Sequence, residues 1–594
     1  MGNDVVSEPF EDSRRLTGAN LYFDGAGAAL ETAPGLAFDA GVLQRWRGNV
    51  ERARAALDWP DAAIVVRLHA TGASLAFEAP IDQLYIATEV NEWALYAALG
   101  LRAGDAPVDA DAAEPRAHVA HHGPQEALRR LALLARDEAR PAVVALLQAA
   151  RAHGIPAHAD DECVSVGEGE GAQAWTLDAI PAPDDVPWAR LHGIPKAVVT
   201  GSNGKTTSVR LLAAMLRAHG LRAGYSSTDG LFIDGERVEP GDYSGPVGAR
   251  TVLRDARVQV AVLETARGGL LRRGLVAHDA RVALVTNVSP DHFGEYGIHD
   301  LDDLAAVKLV VAKSLAPDGL LVLNADDAML VAHAAATGVA RMGWCALALD
   351  DALARGPLAC GARDGRLLLS LDGATHDLGA VDAMPLTIGG AARYNIANIA
   401  GAVLAAHALG VPVEVIAAVL ARFGGTNADN PGRLQRWSLG DVQVLLDYAH
   451  NPDGLRGLLD VAAGMRGARL ALLLGHAGNR LEDDFRALAA VAASARPDRV
   501  WLKDIGGDYL RGRASGDVAM ILRESLLASG MAESDLPVCL DEAEATRQAL
   551  QWACPGDLLV LPVHEPARRD EVVALLDRLQ ADGWHAGEPL PSSR

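Results

Sequence analysis

Residues 199–210 read VTGSNGKTTSVR. They lie between a short apolar run at 197–199 and a stretch whose Val209, Leu212, Met215 and Leu216 share one helical face before Gly220. A strand that turns through glycine into a helix aims backbone N–H groups and a positive helix end at one point, which suits an anion. The usual phosphate-loop spacing is G-x-x-x-x-G-K-[ST]. Here only two residues separate Gly201 from Gly204, and Val199 stands where the leading glycine would be. On this reading Lys205 holds terminal phosphates and Thr206 a Mg²⁺. The alternative is an ordinary strand-to-helix turn that contains glycine and lysine.

The surrounding pattern extends the constraint. Short Val/Leu runs at 258–263, 282–285 and 320–323 alternate with amphipathic helices, as parallel βαβ units do, so ligands should lie beyond the carboxyl ends of the strands. The same alternation resumes at 442–446, 470–474, 499–503 and 557–561, after a Gly/Asn-rich break at 424–433. Residues 16–178 mix strand-like runs (63–68, 75–78) with Ala/Leu-rich helices (125–135, 142–153), and a proline-rich stretch follows. The expected α/β architecture is a polar, disordered tail at 1–15, an N-terminal α+β domain at 16–178 and a linker at 179–196. A central P-loop-type ATPase domain with a mostly parallel sheet follows at 197–430, then a C-terminal Rossmann-like domain at 431–594. The length of 594 residues agrees with about three to five domains.

The net charge of −23 argues against a nucleic-acid or anionic-membrane surface. There is no long apolar run or signal-like start, and the five scattered cysteines form no CxxC pair, so a cytoplasmic protein with reduced thiols is expected. Lysine is scarce: Lys196, Lys205, Lys308, Lys313 and Lys503 stand among 54 basic residues. Where arginine is the default cation, a retained lysine invites a reason.

Several residues fall at the same strand edge as the loop. Glu264 ends a central strand, where a carboxylate can ligate Mg²⁺ or simply cap a helix. Asp291 and His292 end the next strand. On the following helix, expected over 300–315, Leu301, Leu304, Lys308, Val311 and Leu315 form one stripe, so Lys308 faces the core, whereas Lys313 should be solvated. A buried lysine must lose its charge, find a partner, be modified or snorkel. Asn395 and Asn398 share a helical face and can read a base edge or serve as caps. Arg433, Asp447, His450 and Asn451 occupy strand-end or loop positions, and Lys503, Arg511 and Arg513 form a basic set that suits a carboxylate or solvent.

GSNGKTT, the strand-end Glu, DH followed by a helical Lys, NADD, N-x-x-N, PGR and DYAHNP together resemble the Mur ligase superfamily of ATP-dependent amide ligases. Within it, GYSSTDGLFIDGERVEPGDYSGP (224–246), VLETARGGLLRRGL (262–275), NVSPDHFG (287–294) and LRGR (510–513) are similar to the ligase module of the cyanophycin synthetase branch. LTGANLYF (16–23) and residues 75–94 resemble that branch's N-terminal domain. The branch carries an ATP-grasp module between these regions, and the space here is too short for one. Ser202 and Ser244 stand where the family usually has Thr.

The resemblance implies ATP-dependent, ADP-forming ligation through an acyl phosphate. Gly201, Ser202, Asn203, Gly204, Lys205, Thr206 and Thr207 would hold the phosphates, Asn395 and Asn398 adenine, and Arg433 and Asp447 the nucleotide on domain closure. Thr206 and Glu264 would hold one Mg²⁺; His292, with Lys308 carbamylated, would hold a second. Asp242, Ser244, His450, Asn451, Lys503, Arg511 and Arg513 would meet the substrates, an amino acid such as arginine and an aspartate-containing peptide. A separate ATP-grasp synthetase is an implied partner, and a homo-oligomer is compatible. Two other readings stay open: a non-catalytic partner that binds cyanophycin or docks on a synthetase, and a folate-type glutamate-adding ligase.

Overall fold

The computed structural model describes residues 8–591 apart from residues 37, 102–118, 120–121, 292 and 466. Its centre is an eleven-stranded sheet. Across it the strands run Glu236–Glu239, Gly230–Ile233, Ala223–Ser227, Val260–Glu264, Lys196–Thr200, Ala280–Val285, Leu315–Asn324, Met342–Ala348, Ala359–Arg363, Arg366–Leu371 and Ala374–Ala380. The seven middle strands are parallel and both edges are antiparallel.

Strands buried on both faces read as continuous apolar runs, and their alternate residues must feed two cores. Val198, Leu263, Ala283 and Val285 pack with Val252, Leu270 and Leu304 on one face. Val199, Val262, Val282 and Leu284 pack on the other with Val209, Leu212 and Met215 of the helix Lys205–Ala218 and Ile399 and Val403 of the helix Arg393–Ala408. Parallel strands put all their carboxyl ends on one edge, and there Gly201, Glu264, Asn287 and Asn324 come together.

The C-terminal unit is a five-stranded sheet ordered Gln435–Leu439, Val442–Asp447, Leu558–Pro562, Leu470–Leu474, Arg499–Leu502, with only the first pair antiparallel.

The N-terminal part corrects three expectations. Residues 10–15 are not a disordered tail: they belong to the strand Phe10–Leu16, where Arg14 is buried and ion-paired with Glu31. Residues 16–178 form two units. One is a four-stranded antiparallel sheet under the helices Ala40–Leu57, Leu84–Leu99 and Pro124–Glu138; the other is a three-stranded sheet with the helix Pro141–Ala152. The linker is packed chain, because Val186, Leu191 and Ile194 are buried and Lys196 pairs with the buried Glu168.

The helix expected over 300–315 also ends early. It spans Leu301–Leu309 and tightens into a 3₁₀ turn, Val310–Ser314. Lys313 is exposed as expected, with its ammonium on Asn20 O and Asp24.

Candidate active site

The strand Lys196–Thr200 stops at Gly201, and Gly204 opens the next helix with φ +83°, a backbone that favours glycine. Space enforces the same choice, since a Cβ on Gly204 would lie 2.2 Å from Asn398 Oδ1. The loop is tied to its neighbour: Ser202 N donates to Asn287 O (2.9 Å), Asn203 N to Asn287 Oδ1 (2.9 Å), and the Ser202 hydroxyl to Ser289 O (3.0 Å). The same hydroxyl accepts from Ser289 N at 3.0 Å. Lys205 curls over the loop, its Nζ donating to Gly201 O and Ser202 O at 3.0 and 3.1 Å.

Thr206 Oγ1 donates to Glu264 Oε2 at 2.9 Å. Glu264 is 1% exposed, and its other oxygen, Oε1, is buried and accepts no hydrogen bond among the described residues. Burial pushes this carboxyl above its ordinary value, with Lys205 and Arg433 opposing. A buried carboxylate oxygen without a donor, beside a threonine hydroxyl, fits a divalent cation.

Arg433 arrives from the C-terminal unit. Its NH2 lies 3.2 Å from Thr228 Oγ1 and 3.4 Å from Thr206 Oγ1, and the guanidinium stacks 4.3 Å over the Tyr448 ring. Lys308 is 3% exposed on the core stripe, and burial, reinforced by Lys205, brings its ammonium down to about 7. His292 lies outside the described residues.

Asn395 and Asn398 line the same cleft, of about 390 Å³, and each already spends a donor within the protein, on Leu386 O and Asn395 Oδ1. Thr207 faces Asn430, whose amide donates to its hydroxyl. Asp447 accepts from Leu434 N, and burial raises its carboxyl. Asp242 and Ser244 are bonded to each other through the Ser244 N–H and hydroxyl. His450 Nε2 stands 3.8 Å from Asp291 Oδ2. Asn451 is buried, caps its helix at Gly454 N and donates to Asn203 Oδ1, so it ties the two units together rather than facing open space.

The basic set does not converge. Lys503 is wholly buried, its Nζ 2.5 Å from Glu542 Oε1 and 3.1 Å from His564 Nδ1; it is a core ion pair and not a substrate contact. Burial, then Lys503, brings His564 down to about 4, so the imidazole is neutral at ordinary pH. Arg513 is spent on Gly478 O and the face of Phe485, while Arg511 is exposed with φ +50°. Lys503→Gln is therefore expected to destabilise the C-terminal unit by about 3–5 kcal/mol, because Glu542 is left buried without its cation. Urea unfolding reads this. Wild-type stability together with a raised KM for the amino acid would return Lys503 to the substrate site.

Other residues that join the units were not among the expected site residues. Asp229 takes Arg210 (2.8 Å) from the loop helix and Arg569 from the C-terminal helix Pro566–Ala581. Arg480 is buried with its NH2 3.6 Å from Asp291 Oδ1. Arg569 gave no signal because PARRDE looks like a solvated first turn. Its neighbour Arg568 does sit at the surface, on Asp541 and Glu571.

Residues 199–406 match the Mur ligase middle domain, and residues 432–562 the Mur ligase, glutamate ligase domain. A cyanophycin synthetase of Trichormus variabilis is 36% identical over 64% of this chain, which spans 42% of that protein's length. The UDP-N-acetylmuramoyl-L-alanyl-D-glutamate--2,6-diaminopimelate ligase of Alkalilimnicola ehrlichii is 31% identical over 73% of this chain and 88% of its own. The crystal structure of a bifunctional folylpolyglutamate synthase/dihydrofolate synthase from Yersinia pestis superposes with a TM-score of 0.48 and 22% identity, over 64% of this chain and 90% of that one. With both domain models matched in order and a relative covered nearly end to end, the chain belongs to the Mur ligase family.

Proposed function

We propose that the chain is an ATP-dependent, ADP-forming acid–amino acid ligase. The observation that supports this most is the meeting of Lys205, the Thr206–Glu264 pair and Arg433, from two structural units, in one cleft. The loop amides and Lys205 would bind the β- and γ-phosphates. Mg²⁺, held by Thr206 and Glu264 and, for a second ion, by His292 and a carbamylated Lys308, would supply neutralisation of phosphate charge. An acceptor carboxylate takes the γ-phosphoryl group from ATP, releasing ADP; an amine then displaces phosphate and the amide forms. The protein's part is positioning and fixed positive charge. Arg433 touches Thr206 only when the C-terminal unit lies on the central one, so closure completes the site and excludes water.

The likeness to cyanophycin synthetases supports a narrower form: an amino acid, most simply arginine, joined to an aspartate side chain of a peptide in the cytoplasm. Backbone extension would fall to a separate ATP-grasp synthetase. Phosphate release from ATP, screened over aspartyl peptides and free amino acids, tests it. A protein that binds ATP yet turns over no pair would end the ligase reading, and turnover with glutamate on a folate alone would move it to the folate type.

A further inference from the structure

The segment between the strand Ala280–Val285 and the helix Leu301–Leu309 carries Asp291, 3.8 Å from the cleft residue His450, and is gripped from two sides. On its front, Asn479 of the C-terminal unit donates to Glu295 (3.1 Å), and Arg480 and His450 approach Asp291. On its back stands the N-terminal four-stranded unit. Arg67 NH1 donates to Gly297 O at 2.9 Å, and NH2 of the same guanidinium pairs with Asp303, whose other oxygen accepts from His299 N at 2.9 Å. Thr71 Oγ1 lies 3.1 Å from His299 Nε2. Arg14 stacks 4.7 Å over the Tyr296 ring while its Nε donates to Leu271 O, and Arg272 donates to the Tyr296 hydroxyl (2.9 Å).

The backbone here is not in a conformation that it would keep alone. Tyr296 has φ +55° and Gly297 φ +66°, and left-handed backbone at a non-glycine residue persists only where its surroundings over-determine it. The N-terminal unit leaves no slack either, since a Cβ on Gly297 would lie 2.5 Å from His69 Cδ2. Its buried Glu31 in turn holds Arg14 (2.7 Å) and Ser74 (2.7 Å) and stands 3.5 Å from His69.

We infer that the N-terminal unit is a brace for the segment 293–299 that lies next to Asp291, and that Arg67 and Arg14 are positioning residues that hold Asp291 in place by clamping this neighbouring backbone. Neither arginine touches the phosphate loop, so the brace acts on the chemical step and not on nucleotide affinity. The kinetic half of this inference rests on the ligase reading; the structural half does not.

Hydrogen exchange and steady-state kinetics on the full chain test it together. In Arg67→Ala, amides 294–300 are expected to exchange at least about tenfold faster while 201–207 stay as in wild type. The kcat should fall about 10–100-fold with KM for ATP within about twofold. Arg67→Lys should restore part of both losses, and Arg47→Ala, whose guanidinium reaches Ile64 O on the unit's own surface, should change neither. Should Arg67→Ala fail to fold, Thr71→Val, which removes the hydroxyl between His69 and His299, and Arg67→Lys are milder changes and should move the same two readouts by less. Wild-type protection at 294–300 in folded variants would overturn the brace, as would faster exchange with an unchanged kcat. If the wild-type chain shows no ligase turnover, exchange at 294–300 decides alone.

Discussion

Lys308→Ala is expected to lower turnover on the order of 10²–10³-fold, with ATP binding changed by no more than about threefold. The side chain sits on the buried stripe of the helix Leu301–Leu309, 3% exposed, with Asp291 and Asp327 the nearby negative charges and Lys205 and Arg267 the positive ones. Burial brings the ammonium down to about 7, so near-neutral buffer holds a large share of free amine. A free amine can add to CO₂, forming an N–C bond and releasing one proton; a buried cation thereby becomes an anionic oxygen ligand. Activity should then fall in CO₂-free buffer, return with bicarbonate and show an acid limb near pH 7, where protonation removes the nucleophilic amine. Carbon-13 NMR with labelled CO₂ should show a carbamate that Lys308→Ala lacks. The same group has a sign in stability. From about pH 7 up to the usual lysine value, the unfolded chain carries the proton and the folded chain does not. Stability therefore rises with pH across that window, and Lys308→Met should flatten the slope. Full activity in Lys308→Ala would remove this residue from the mechanism.

What the sequence made legible follows from which patterns have a period. The parallel strands were visible because both faces are covered, so Val260–Glu264 and Ala280–Val285 are apolar almost throughout. The core-facing Lys308 was visible because its neighbours at helical spacing are all aliphatic. The antiparallel edge strands Arg366–Leu371 and Ala374–Ala380 were missed, because they are short and the turns around them, GARDGR and SLDGAT, look like loop. Lys503 misled for a related reason: its partner Glu542 is 39 residues away, and no local pattern distinguishes a buried ion pair from a basic surface loop. Asn451, Arg480 and Arg569 act across units, and contacts of that range leave no periodicity. The N-terminal strand Phe10–Leu16 was masked by its charges, although Arg14 spends its charge inside, on Glu31.

Asp229→Asn is expected to open the molecule. This carboxylate is 8% exposed and faces three guanidinium groups: Arg210 of the loop helix at 2.8 Å, Arg569 at 2.5 Å and Arg433 at 3.6 Å. Burial alone would raise its carboxyl, but the arginines, Arg433 first, hold it below the usual carboxylate range. The amide removes the carboxylate that these three guanidinium groups share, and Arg569 NH1 is buried with no hydrogen-bond partner among the described residues even in the wild type. Removing one partner of a buried ion pair costs about 3–5 kcal/mol. Two of the three arginines belong to the C-terminal unit, so the chain can escape the repulsion by swinging that unit away about the segment 424–431, without unfolding either core. Small-angle scattering should therefore show a larger radius of gyration, proteolysis should quicken at 424–431, and KM for ATP should rise as Arg433 leaves Thr206. Arg569→Gln should act in the same direction, Arg568→Gln should not, and the double variant Asp229→Asn/Arg569→Gln should cost less than the sum of the single changes. The pH dependence has a definite sign. A depressed carboxylate contributes stability that is present above its ordinary pKa, about 3.9, and lost as pH falls through the lower folded value. The wild-type bridge thus stays intact through the neutral and mildly acidic range and opens only below it. A scattering curve for Asp229→Asn that superposes on wild type would show that the closed arrangement is held by other contacts.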